Sequence, residues 1–192
     1  PGLWDFHVHF TFDERFTDAM AGLFLYHGIT NVRDTGGLLE DLLPVVDTLR
    51  SAGSNAPNIW YSGPLLDGKD VVYDGVNFPG LGIANPTPEA ALANIAEIHA
   101  AGASFLKIYE MVTPEVFAAI VAEAGARNLP IDGHVPLSMR ARDVAPQVQS
   151  LEHLRNYEMD CVEDPELWLA TRQAELANVA NEPGNVLRSR LH

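Results

Sequence analysis

Residues 1–10, Pro-Gly-Leu-Trp-Asp-Phe-His-Val-His-Phe, read as a strand. Successive side chains on a strand point to opposite faces. His7 and His9 therefore share one face, and Phe6, Val8 and Phe10 share the other. Two neutral imidazoles one strand step apart can bind a single metal ion, as in three-ligand catalytic zinc sites that keep a position open. An isolated His-x-His is more often an ordinary piece of strand, so its meaning depends on the rest of the chain.

Downstream of that strand, Arg15 to Tyr26 carries apolar residues at helical spacing and closes on His27 and Gly28. Ile29 to Asp34 is a second strand, Thr35-Gly36-Gly37 a turn into a helix that runs to about Ala52, and Asn58 to Ser62 a third strand. Strand, helix, strand, helix, strand argues for a parallel sheet with crossover helices. The stretch from Gly63 to Pro86 is rich in Gly, Pro and Asp and reads as one long loop, the candidate substrate loop. Its acidic residues lack calcium-loop spacing.

Thr87-Pro88-Glu89 and Thr113-Pro114-Glu115 are the same helix-start signal used twice, a Thr cap, a Pro in the first turn and an acidic residue. The helices they open run to about Ala101 and Arg127, and around them lie strands at Phe105 to Tyr109 and Leu129 to Val135. A short helix over Ser138 to Ala145, a sixth strand at Ser150 to Leu154 and a helix from Pro165 to Ala180, ended by Glu182-Pro183-Gly184, complete the pattern. His27 and His99 fall at helix carboxyl ends, where an imidazole is favourable against the helix dipole.

The 192 residues carry a formal charge of −14, with 26 acidic against 12 basic residues. Nucleic acid and anionic membrane are therefore poor partners. Cys161, the only cysteine, allows no intrachain disulfide and reads as a small buried hydrophobe. No uncharged apolar run is long enough for a membrane span, and localisation stays open. The chain begins at Pro1 directly on a strand, which raises the expectation that an amino-terminal piece precedes it.

Three further residues sit in or at the end of later strands: Lys107 in Phe-Leu-Lys-Ile-Tyr, His134 in Ile-Asp-Gly-His-Val-Pro and His153 in Ser-Leu-Glu-His-Leu. In a parallel barrel the carboxyl ends of strands are where residues from separate strands converge. With Pro-Gly-Leu-Trp-Asp-Phe-His-Val-His and Gly-Ile-Thr-Asn-Val-Arg-Asp-Thr-Gly-Gly, these segments make the chain, as far as about residue 155, resemble the amidohydrolase superfamily in its imidazolonepropionase-like and prolidase-like branch.

That resemblance implies an α/β fold, a distorted (β/α)₈ TIM-like barrel of the metal-dependent hydrolase type, of which about six strand-helix units are present. Residues 1–192 would be the catalytic barrel domain as a fragment, lacking a small amino-terminal β domain and the last barrel strands. It also implies two divalent metal ions, zinc being the expected species, with His7 and His9 on the first and His134 and His153 on the second. Lys107 would bridge them. An ammonium group has only donors and cannot ligate a cation. In the family this lysine is carboxylated by carbon dioxide.

The implied activity is hydrolysis of amide bonds in peptides or N-acyl amino acids, a small-molecule substrate, by a metal-activated water. A deaminase of the same superfamily is one alternative, disfavoured by Lys107, and a catalytically incompetent metal-binding fragment is another. The family's strand-eight aspartate, the general base, has no counterpart here, since Asp160 and Asp164 follow strand six too closely and read as a solvated loop. The catalytic base is thus unassigned. Tyr109, with the strand parity of Lys107, and Asn156 and Tyr157, just past His153, are candidate substrate contacts. Arg33 and Asp34 read as either an ion pair or substrate contacts. An open barrel has unpaired edges, so homo-oligomerisation or a complementary segment is expected.

Overall fold

The computed structural model describes residues 2–178 and 182–191. Strands β1 (Leu3–Val8), β2 (Ile29–Asp34) and β3 (Asn58–Tyr61) form one sheet in the order β1-β2-β3. Strands β4 (Leu65–Asp67), β5 (Gly82–Ala84), β6 (Leu106–Ile108), β7 (Ile131–Gly133) and β8 (Ser150–Leu151) form a second, ordered β5-β4-β6-β7-β8. Every ladder is parallel. β3 and β4 are consecutive pieces of one run, interrupted where Gly63 takes φ +73° and Pro64 lacks an N–H. The first piece pairs with β2 and the second with β6, and Ser104 N donates to Tyr61 O at 2.8 Å across the break. The strands thus follow one another in a parallel arc. Among the described residues no ladder joins β1 to β8, so these strands do not close into a barrel.

The stretch from Gly63 to Pro86 is not the single loop its composition suggests. It contains β4 and β5, with Leu65 in register with Lys107 and Gly82. Leu65, Leu66 and Asp67 are all buried, so this strand has neither alternation nor length to reveal it.

Helices α1 (Glu14–Tyr26), α2 (Leu39–Ala52), α3 (Pro88–Ala100) and α4 (Pro114–Arg127) fill the crossovers. Thr87 and Thr113 cap α3 and α4 through hydroxyls that accept from Ala90 N and Val116 N. Asn128, left-handed at φ 55°, ends α4. Leu42 and Val46 of α2, Ile95 and Ile98 of α3, and Phe117 and Ile120 of α4 are buried in one core with Val32, Ile59, Leu106 and Ile131 of the strands. Phe117 is almost completely enclosed. Phe117→Ala is expected to destabilise the fold by about 3–5 kcal/mol, read as a lower urea midpoint at unchanged slope. Thr113→Ala, which removes only a cap, should cost about 1 kcal/mol.

After the short helix α5 (Ala141–Val144) and β8, the chain forms α6 (Pro165–Asn178) and α7 (Gly184–Leu191). The expected last two residues of α6 lie outside the described residues. Glu182-Pro183-Gly184 does not only end a helix, because Gly184 opens α7. A Cβ at Gly184 would lie 2.3 Å from Asp70 O, so glycine permits the close approach of α7 to the segment before β5. Leu187 is buried there with Val72, Leu81 and Tyr109. Cys161 is exposed rather than buried, since it follows a 3₁₀ turn on the outside of the molecule. No described helix is long and apolar enough to cross a membrane.

Candidate metal centre

The register of β1 against β2 shifts between Asp5 and Val8, which re-aims the strand's end. His7 and His9 consequently meet, with Nε2 atoms 3.2 Å apart. Their other ring nitrogens are each engaged. His7 Nδ1 lies 2.6 Å from Glu152 Oε2, and His9 Nδ1 lies 2.9 Å from Gly36 O. A carbonyl or carboxylate oxygen can only accept, so in both rings Nδ1 carries the proton. In the neutral rings both Nε2 lone pairs then face the same point.

His134 repeats the arrangement, its Nδ1 lying 2.7 Å from the buried Glu110 Oε1. His153 brings its ring centroid to 4.4 Å from His7 and 5.3 Å from His134. It does so from left-handed backbone, φ 58°, which costs a non-glycine residue strain and is a feature of functional sites. His7, Glu152 and His153 each offer a ligand atom within 4.8 Å of the others. Four imidazoles from β1, β7 and β8 and the turns after them thus converge at the carboxyl ends of the parallel strands.

Lys107 of β6 is 1% exposed at the same place, with Nζ 3.4 Å from Asp132 Oδ2. Burial holds its amine below the usual lysine range, partly opposed by Asp132 and Glu152. Burial also lowers His9 and His134 to about 4, which keeps both rings neutral and able to ligate. Arg33 reaches Glu152 Oε1 at 2.7 Å and Asp132 Oδ2 at 3.1 Å. Burial pushes Asp132 up, whereas at Glu152 the hydrogen bonds from His7 and Asp132 and the nearby Lys107 outweigh burial and hold it below the carboxylate range. Glu152 is therefore the fixed anion of the pair.

His7, His9, Lys107, Tyr109, His134 and His153 line one cavity of about 310 Å³, together with Phe12, Tyr73 and Leu81. Tyr109 packs 4.5 Å from the His134 ring, and burial raises its phenol so that it stays protonated. The expected substrate contacts Asn156 and Tyr157 are not in this lining. Asn156 is buried and donates to Val135 O at 2.6 Å, and Tyr157 packs half-buried against the core. His153, Leu154 and Asn156 are left-handed, so the extended alternation does not continue past His153, and of the residues that follow it in this turn Arg155 lines the cavity.

Arg33 and Asp34 do not pair, because they occupy opposite faces of β2. Asp34 is fully buried and accepts from Phe10 N at 2.8 Å and Gly36 N at 3.1 Å, so it shapes the two turns that hold His9. Burial pushes it up to about 7. Asp160 is not a solvated loop residue either. It accepts from Arg142 N at 2.9 Å and ion-pairs with Arg140.

Sequence patterns missed Glu110, Glu152, Gly36 and Arg188. Glu152 had one signal, its adjacency to His153. The others had none, because each acts from an element distant in sequence.

No protein-family model and no curated protein matches the chain. Solved structures do. An amidohydrolase shares 22% identity over 80% of this chain and 48% of its own, with a TM-score of 0.66. A Xaa-Pro dipeptidase with methionine bound in its active site shares 19% identity over 100% and 59%, with a TM-score of 0.68. A prolidase complexed with N-methylphosphonate-L-proline shares 21% over 80% and 47%, at 0.65. The chain spans about half the length of these structures. Fold and site together define an α/β protein of parallel strands with a histidine-rich centre at their carboxyl ends. More narrowly, the chain has the amidohydrolase-type fold, and prolidases are among its structural relatives.

Proposed function

We propose that this chain forms the metal-holding part of a hydrolase of amide bonds in peptides or N-acyl amino acids. One observation carries the proposal: His7, His9 and His134 each donate Nδ1–H to a fixed acceptor, leaving Nε2 turned toward one cavity. Metal-bound histidines are held in this way. His7 and His9 bring their Nε2 atoms within 3.2 Å of each other while both Nδ1 atoms are held by oxygen acceptors, and such a donor set fits a divalent ion.

His7 and His9 would hold one ion and His134 and His153 a second, with Lys107 between them. Divalent ions there supply Lewis acidity toward a carbonyl and lower the pKa of a water. Burial favours the neutral Lys107 amine, which can add carbon dioxide by forming an N–C bond and releasing one proton. The product is a carboxylate able to face two cations. The Tyr109 phenol, kept protonated, is placed to donate to a substrate oxygen. Phe12, Tyr73 and Leu81 give the cavity an apolar wall that limits water.

A second reading is favoured by the absence of any Asp or Glu from the cavity lining among the described residues. In it, the chain binds metal without turnover, because no described carboxylate in that lining is placed to take the proton from water.

Metal analysis of protein purified without chelator, combined with assays on Xaa-Pro dipeptides and N-acyl amino acids, separates these readings. Two zinc ions per chain with turnover supports the first, and zinc without turnover supports the second. A chain that takes up no zinc, cobalt or manganese overturns both.

A further inference from the structure

Glu110 is fully buried, yet it carries a carboxylate in a position that no spacing argument marks. A buried charge requires partners, and those around Glu110 join three distant parts of the chain. His134 Nδ1 lies 2.7 Å from Oε1, Arg155 Nε 2.9 Å from the same oxygen, and Arg188 Nε donates to Oε2 at 2.9 Å. We infer that Glu110 is a positioning residue for His134, and that helix α7 takes part in the centre through Arg188, which holds Glu110 in place. The metal arm of this inference rests on the proposed function, whereas the tautomer arm does not.

Free imidazole in water prefers its proton on Nε2. At His134 that would place an N–H where a lone pair is needed. The hydrogen bond made by one ring nitrogen decides the state of the other, and Glu110 reverses the preference by accepting from Nδ1. A carboxylate also makes the ring a better donor toward a cation than a carbonyl would, and losing such a partner typically weakens metal binding about 10–100-fold.

Two guanidinium groups oppose this one carboxylate, so its orientation is set from both sides. Arg188 enters from α7, which is anchored by buried Leu187 and the close approach at Gly184. Its guanidinium carbon also stands 5.9 Å from the centre of the Tyr109 ring. A segment that looks peripheral in sequence thereby fixes one histidine and one aromatic wall of the cavity.

The test uses the full chain. Long-range ¹H–¹⁵N NMR of chelator-treated protein should find His134 protonated on Nδ1. In Glu110→Ala the proton should move to Nε2, and the dissociation constant for the weaker zinc ion, measured by competition with a chromophoric chelator, should rise about 10–100-fold. An unchanged Nδ1–H tautomer in Glu110→Ala overturns the role of Glu110. Should that variant fail to fold, Glu110→Met removes both charge and acceptor at similar volume, and an unchanged Nδ1–H tautomer in it overturns the same role. Arg188→Ala should weaken zinc in the same direction with partial rescue by Arg188→Lys, and wild-type affinity in Arg188→Ala overturns the part given to α7. If the wild-type chain takes up no zinc, the proposed function fails while the tautomer comparison still decides the role of Glu110.

Discussion

Lys107→Met is expected to cut zinc uptake from two ions to one while leaving the fold at least as stable as the wild type. Lys107 is 1% exposed, and its partner Asp132 is 3.4 Å away, longer than a good N–H···O bond. Asp132 also keeps Arg33 at 3.1 Å and Ser150 at 2.8 Å, so removing the lysine does not orphan it. Removing one member of a buried ion pair is destabilising when the other is left unpaired, and here Arg33 and Ser150 keep Asp132 partnered while the cost of burying the lysine disappears. The metal effect has the opposite sign, because an anion formed on Lys107 would offset the repulsion between two dications. Metal analysis and urea denaturation in chelator read the two effects separately, and normal two-zinc occupancy in the variant would falsify the bridging role.

The same substitution has a pH signature. Burial lowers the native Lys107 pKa below its ordinary value of 10.5. Between the lowered value and 10.5 the unfolded chain binds more protons than the folded one. Stability therefore rises with pH through that window. In Lys107→Met this contribution to the slope should disappear.

Much of the fold was legible because its signals are local. Thr87-Pro88-Glu89 and Thr113-Pro114-Glu115 place the starts of α3 and α4 within their first turns, and β2 spans the expected Ile29–Asp34. What escaped depended on distant pairing. β4 is three buried residues whose extended state is set by β6 and β5 on either side, and β5 is no longer. Among the described strands no ladder joins β1 to β8.

The centre divides along the same line. His7, His9, Lys107, His134 and His153 could be placed together because strand parity and position at strand ends are written in the chain itself. Asn156 and Tyr157 were expected at the cavity because they closely follow His153, but the backbone is left-handed at His153, Leu154 and Asn156, and neither residue is in the lining. Glu152, Glu110 and the Gly36 carbonyl act through hydrogen bonds to residues 145, 24 and 27 positions away. Such partners leave no periodicity, although any buried imidazole must have an acceptor of this kind.

His9→Ala is expected to lower the affinity for the first zinc ion by more than about 100-fold, beyond what loss of an outer partner does, and to leave the metal-free protein no less stable. The ligand loss is direct, since Nε2 of His9 faces the point addressed by Nε2 of His7. Burial holds His9 at about 4, so near neutral pH it offers a lone pair and no proton there. When His7 is neutral, its own Nε2 is bare as well, because Nδ1 carries the proton toward Glu152. The metal-free fold then contains an opposed pair of acceptors at 3.2 Å that alanine removes. Against this stands the lost hydrogen bond to Gly36 O, worth about 0.5–1.5 kcal/mol. The two contributions oppose each other, so thermal midpoints in chelator should nearly coincide, while zinc raises the midpoint of the wild type far more than that of the variant. A His9 that serves only as packing gives the reverse pattern, a lower midpoint in chelator and equal stabilisation by zinc, and that result would remove His9 from the centre.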